Sequence, residues 1–93
     1  MAIQIDLKKN IQIPGLEAET ATLPDYVNTI RDLLHYIGGK IHFDFLDLES
    51  GDLRDYFEIT VNGQDVWFYP GGLDARLANH DSVKIQIVGL GGG

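Results

Sequence analysis

An α+β fold, with one helix laid across a mixed sheet of four to five strands, is predicted by three observations on the 93-residue sequence. Apolar and polar residues alternate in short segments at both ends, the mark of half-buried strands. Between them, one segment repeats its apolar residues at helical steps. Asn62-Gly63 then stands between two further strand-like stretches, and Asn-Gly is the strongest short-range signal for a tight hairpin.

In chain order, residues 2–7 place Ile3, Ile5 and Leu7 on one face and Gln4 and Asp6 on the other. This predicts a first strand. Ile11-Gln12-Ile13 is expected to extend the sheet before Pro14-Gly15 turns the chain. Residues 17–23 alternate more weakly and predict an edge strand, whose Glu17 and Glu19 discourage pairing with other molecules. Pro24-Asp25 is expected to open the helix, with Asp25 as cap. Val27, Ile30, Leu33, Leu34 and Ile37 form its apolar stripe, and Gly38-Gly39 is expected to stop it. Residues 41–48 fit a strand or a short helical turn, and Ser50-Gly51-Asp52 a turn. Residues 57–61 predict a strand, and residues 64–69 its hairpin partner. In that partner, alternation puts Phe68 on one face and Trp67 and Tyr69 on the other, one face fit for the core and the other for exposure. Pro70-Gly71-Gly72 breaks the strand. Leu73, Leu77 and Ala78 are expected to cover one end of the core, before the polar turn Asn79-His80-Asp81-Ser82 and a last strand carrying Val83, Ile85 and Ile87 on one face. The first and last strands have matching apolar faces and are expected to pair at the sheet centre. That order of elements is the β-grasp arrangement. Residues 1–88 are expected to form this one domain and residues 89–93 a flexible glycine tail.

Composition narrows the function. The formal charge is −7, and nucleic-acid binding requires a basic footprint, so nucleic acid is not an expected partner. No apolar run is long enough to span a bilayer, no signal peptide is evident, and no membrane partner is expected. Cysteine is absent, which removes disulfides, a thiolate nucleophile and zinc–sulfur ligation and favours a cytoplasmic location. Asp44, Asp47, Glu49, Asp52 and Asp55 cluster, either as a solvated loop or to steer the chain toward a basic partner. His35, His42 and His80 have no ligand-like spacing, so no metal site is expected. Ser50 and Ser82 lie in turns with no histidine placed as a base, so no catalytic residue of its own is expected and the chain is read as a non-enzyme.

Three stretches carry a resemblance. Val61-Asn62-Gly63 closes a strand. Gly72-Leu73-Asp74, then Leu77, then Asn79-His80-Asp81-Ser82-Val83 leads into the last strand, and Gly92-Gly93 closes the sequence. In this register they resemble the MoaD/ThiS family of ubiquitin-like sulfur carriers, which commonly have V-N-G, then G-L-D, a leucine and D-G-D-E-V, and a terminal diglycine. Two departures stand out: His80 where the family often has glycine, and Gly89-Leu90-Gly91 in place of a proline-containing stretch.

The resemblance implies chemistry at the Gly93 carboxylate. A partner adenylating enzyme of the ubiquitin-activating type, MoeB- or ThiF-like, would use ATP to form an acyl-adenylate there, and sulfur would replace AMP to give a thiocarboxylate. No cofactor would be bound by the chain itself. Leu90, Gly91 and Gly92 would thread the partner's active site. A MoaD-like role in molybdopterin synthesis, beside a synthase large subunit, is the first expectation. A thiamine carrier, a modifier joined to lysines and a β-grasp interaction domain without chemistry are the alternatives. The family docks through the sheet face opposite the helix, so Lys84 and Gln86 on that face, with Trp67 and Tyr69, are the candidate partner-binding residues. Trp67 serves equally as a cover for the sheet edge.

Overall fold

The computed structural model describes residues 3–10, 12–47, 49–53 and 57–87. Within them lie five strands and one helix: β1 (Ile3–Lys9), β2 (Thr20–Leu23), α1 (Ile30–Ile41), β3 (Phe57–Val61), β4 (Gln64–Asp65) and β5 (Ser82–Ile87). The strands form a single sheet in the order β2-β1-β5-β3-β4. β1 and β5 run parallel, with Leu7 beside Val83 and Lys9 beside Ile85, and the other pairs are antiparallel. The first and last strands therefore pair in the sheet interior, as their matching faces predict, and β2 is an edge.

The helix covers one face. Ile5, Leu7, Leu23, Ile59, Val83 and Ile85 point toward it and are buried, and Val27, Ile30, Leu33, Leu34 and Ile37 meet them from above. This is the predicted stripe, and burying it against a half-apolar sheet is what holds a domain this small together. Phe43, Phe45 and Phe57 add an aromatic cluster, with Phe45 and Phe57 ring centroids 4.6 Å apart, that fastens the chain after the helix onto β3.

Both ends of the helix differ from expectation. Helix α1 starts at Ile30, five residues after Asp25, because Thr29 and Asp32 form a reciprocal cap. The Thr29 hydroxyl accepts from the Asp32 amide at 3.1 Å, and the Asp32 carboxylate accepts from the amides of Asn28 and Thr29 at 3.0 and 3.2 Å. That satisfies donors a lone aspartate at residue 25 would leave open. Residues 24–27 instead make a turn, the Val27 amide donating to the Pro24 carbonyl. At the other end, Gly38 and Gly39 lie inside the helix, which continues to Ile41 and closes on His42 at φ 55°. Gly38 is required by contact rather than by conformation: a Cβ there would stand 2.5 Å from the Phe43 carbonyl oxygen, where the chain folds back. The Phe43 amide donates to the Gly38 carbonyl in the same turn.

Other segments are shorter than predicted. β1 ends at Lys9, and Ile11 lies outside the described residues. Ile13 does not extend the sheet but is buried from a loop, ahead of the Pro14-Gly15 turn. Only residues 20–23 of the second segment form a strand. Residues 41–47 are the end of the helix and a loop, with Leu46 bridging to Leu53. Leu48 and Asp55 lie outside the described residues. The hairpin is as predicted, with Asn62 and Gly63 both at positive φ, 53° and 81°. Its second strand, however, lasts two residues and then tightens into a 3₁₀ turn, Val66–Phe68, because Asp65 caps the Trp67 amide at 2.9 Å. A second 3₁₀ turn, Gly72–Asp74, follows and buries Leu73. Leu77 is also buried, while Ala78 is exposed.

Candidate functional site

The motifs meet at the foot of β5. Asn62 donates from its side-chain amide nitrogen to Asp81 at 3.1 Å, and its amide oxygen accepts from the Ser82 backbone at 2.9 Å. The other Asp81 carboxylate oxygen accepts from the Ala78 amide at 2.8 Å. Asn79 accepts from the Gln4 amide at 2.8 Å, and the His80 amide donates to the Gln4 carbonyl at 2.7 Å. The hairpin tip, the polar turn and the start of β1 are thus tied to one another. Apart from the backbone bond between His80 and Gln4, each tie uses a short polar side chain of Asn62, Asn79 or Asp81. The arrangement fixes the register of β5, Ser82–Ile87, between β1 and β3.

His80 belongs to this foot and has φ 69°. A left-handed conformation is natural to glycine and costs other residues. The position where the sequence departs from the resembled pattern is therefore one where the backbone suits glycine.

The face of the sheet opposite the helix is polar. Gln4, Asp6, Glu58 and Lys84 are exposed on it, and Thr60 and Gln86 are half-buried. Lys84 lies beside Lys8 on one side and Thr60 on the other. Of the candidate partner-binding residues, the structure brings Lys84 and Gln86 together on this face, which among the described residues carries no exposed large apolar side chain.

Trp67 and Tyr69 lie elsewhere, on the turn after β4, and the predicted alternation is corrected there. Phe68 is 74% exposed and Trp67 55% exposed, whereas Val66 is fully buried. A 3₁₀ turn advances side chains by a third of a revolution, so only one of its three residues faces the core. Tyr69 is half-buried and its hydroxyl donates to the Val61 carbonyl at 2.6 Å, so it braces the hairpin instead of facing a partner. Phe68 was missed by strand periodicity. The signal that could have found it is Asp65, two residues before Trp67, an acceptor spaced for a capped turn.

The acidic stretch is partly structural. Asp47 accepts from the amides of Glu49 and Ser50 at 2.8 and 3.1 Å, and Arg31 donates to the Gly51 carbonyl while pairing with Asp74 at 2.9 Å. The hydroxyl of Ser50 accepts from the Asp52 amide. A cleft of about 440 Å³ between α1 and this loop gathers His35 and His42 with Asp44 and Asp47. Among the described residues, no three His, Cys, Asp or Glu side chains converge on a metal-sized site. No helix among them is long and apolar enough to cross a membrane. Gly93, Leu90, Gly91 and Gly92 lie outside the described residues, as does the expected boundary at residue 88.

No family model matches the sequence. No curated protein matches it either. Solved structures do. The Haloferax volcanii HVO 2177 protein superposes with a TM-score of 0.68 at 16% identity, over 97% of this chain and 87% of that one. Small archaeal modifier protein 1 from Methanosarcina acetivorans gives 0.66 at 17% identity, over 100% and 99%. Urm1 from Trypanosoma brucei gives 0.61 at 20% identity, over 97% and 96%. The fold is the ubiquitin-like β-grasp. At these identities the likeness establishes architecture, and a β-grasp can host many activities.

Proposed function

We propose that this β-grasp chain is a ubiquitin-like carrier acted on at the Gly93 carboxylate by a partner adenylating enzyme. The partner binds ATP, the carboxylate oxygen bonds to the α-phosphorus, and pyrophosphate leaves. A sulfur nucleophile then adds at the acyl carbon, AMP leaves, and the carrier holds a thiocarboxylate. The observation that carries this reading is the junction of the Val61-Asn62-Gly63 hairpin with the Asn79-His80-Asp81-Ser82-Val83 turn, joined through Asn62, at the base of the central strand that leads to the diglycine. A carrier needs its reactive end extended from a rigid strand, and this junction provides the rigid part. Molybdopterin is the client we place first, with the chain as the small partner of a synthase large subunit. A thiazole client ranks behind it.

A second reading, as a modifier joined through Gly93 to lysines of other proteins, is favoured by the names of the structural neighbours, three of them structures of small archaeal modifier protein 1. Intact-protein mass spectrometry of the chain recovered from its own cells separates the two. Exchange of one oxygen for sulfur at the terminus is expected for a carrier. High-mass adducts that vanish on deleting Gly92 and Gly93 are expected for a modifier. A terminus unmodified in both respects, with no dependence on Gly93, counts against the whole reading.

A further inference from the structure

We propose that Asn62 is a site of covalent modification. It deamidates to aspartate or isoaspartate by way of Gly63, its bond to Asp81 holds that reaction back, and the product unfastens the hairpin from the foot of β5. The inference goes beyond the function proposed above and does not depend on it.

In the reaction, the Gly63 backbone nitrogen bonds to the Asn62 side-chain carbonyl carbon and gives up its proton. The bond from that carbon to the side-chain nitrogen breaks, and ammonia leaves. Water then opens the five-membered imide. Cleavage at one carbonyl gives aspartate, and at the other isoaspartate, whose main chain runs through the side chain. Only water is consumed. The attacking nitrogen must be sterically open, which is why a following glycine makes the thermolabile asparagine more so. The sequence has four asparagines, and only Asn62 precedes glycine. Both residues are exposed at the hairpin tip, and a Cβ on Gly63 would meet no described atom within 4 Å.

The fold opposes ring closure. Closure turns Asn62 about its Cα–Cβ and Cα–C bonds until the side-chain carbon reaches the Gly63 nitrogen. Asn62 and Gly63 occupy the two left-handed positions of the tight turn, at φ 53° and 81°, and the pairing of Val61 with Gln64 holds that turn closed. Both ends of the side-chain amide are also engaged, the nitrogen on Asp81 at 3.1 Å and the oxygen on the Ser82 amide at 2.9 Å. Reaction therefore requires a local opening that breaks these bonds.

The same contacts make the product a misfit. Asp81 is half-buried, and its second carboxylate oxygen already accepts from the Ala78 amide at 2.8 Å. A carboxylate at position 62 has no proton to offer Asp81 and sets a second negative charge where the amide donated. Isoaspartate also lengthens the main chain at the turn, which breaks the register of β3 with β4.

Peptide mapping by mass spectrometry reads the reaction as exchange of NH for O at position 62. In mildly alkaline buffer at physiological temperature, the folded chain is expected to convert roughly tenfold or more slowly than the chain unfolded in guanidinium. Asp81→Ala is expected to raise the folded rate about threefold to tenfold, the effect of one lost hydrogen bond. Ile13→Val, which loosens the core away from the foot, is expected to leave that rate unchanged. Asn62→Asp mimics the product and is expected to lower the urea midpoint. Adding Asp81→Asn is expected to restore the midpoint, since the new amide can donate to position 62 while its oxygen keeps the Ala78 bond. No conversion in the unfolded chain, or equal rates folded and unfolded, overturns the site. A folded rate that Asp81→Ala leaves unchanged, or that Ile13→Val raises as much, overturns the lock. A midpoint unmoved by Asn62→Asp, or not recovered in the double variant, overturns the release.

Discussion

The two faces of the central sheet are made by the same strands and have opposite chemistry. Toward the helix, Ile5, Leu7, Ile59, Val83 and Ile85 alternate inward and are nearly inaccessible. Away from it, Gln4, Asp6, Glu58, Thr60, Lys84 and Gln86 occupy the alternate positions and carry charge and hydrogen-bonding groups instead of a core. The helix face determines that the chain folds, because stability in a domain of this size comes from that single buried layer. The open face is free of that duty, and its described residues are polar or charged.

The contrast can be broken first from the inside. Phe45→Ala removes a buried ring packed on Phe57 and is expected to cost about 3–5 kcal/mol, read as a fall in the urea midpoint with the slope retained. At the foot of β5, Asn62→Ala removes both ties to Asp81 and Ser82 and is expected to cost about 1–2 kcal/mol in the same measurement. An effect below that range would show that the hairpin alone, without the side-chain lock, sets the register. On the open face, Lys84→Ala is expected to stay within about 0.5 kcal/mol of the parent, since its neighbour Lys8 bears the same charge and its side chain is exposed.

The smallest effect is a matter of pH. The backbone amide of Asn28 holds the Asp32 carboxyl below its ordinary value of 3.8; burial opposes it, and the Thr29 amide and hydroxyl add smaller contributions in the lowering direction. A carboxyl lowered in the folded state binds its proton more readily unfolded. Its contribution is therefore present above 3.8 and is lost as pH falls through the folded value. Asp32→Asn is expected to flatten the acid limb of the stability–pH curve. An acid limb as steep as the parent's would place the acid sensitivity in another carboxylate.

Periodicity made the helix stripe, the central pairing of first and last strands and the Asn62-Gly63 turn legible before any coordinates. These depend on local rules that tertiary structure reinforces. The helix ends were misread because two competing signals were present. Asp25 resembles a cap, but Thr29 and Asp32 satisfy each other. Gly38-Gly39 resembles a stop, but Gly38 is there to admit the Phe43 carbonyl. Alternation failed at Trp67 and Phe68 because a side-chain cap from Asp65 converts a strand into a 3₁₀ turn, which no two-residue period can express. The lock between Asn62 and Asp81 spans 19 residues and is visible in the sequence only as two separate motifs.

The central claim is that Gly93 is the atom group on which a partner acts. ATP–pyrophosphate exchange by the adenylating enzyme of the same organism tests it directly, with the intact chain and a chain lacking Gly93 compared at equal concentration. Exchange is expected with the intact chain and is expected to vanish without Gly93. Exchange that survives the deletion, or fails to appear with the intact chain, would contradict the proposed function and leave a β-grasp domain whose foot, strand and aromatic edge serve some other contact.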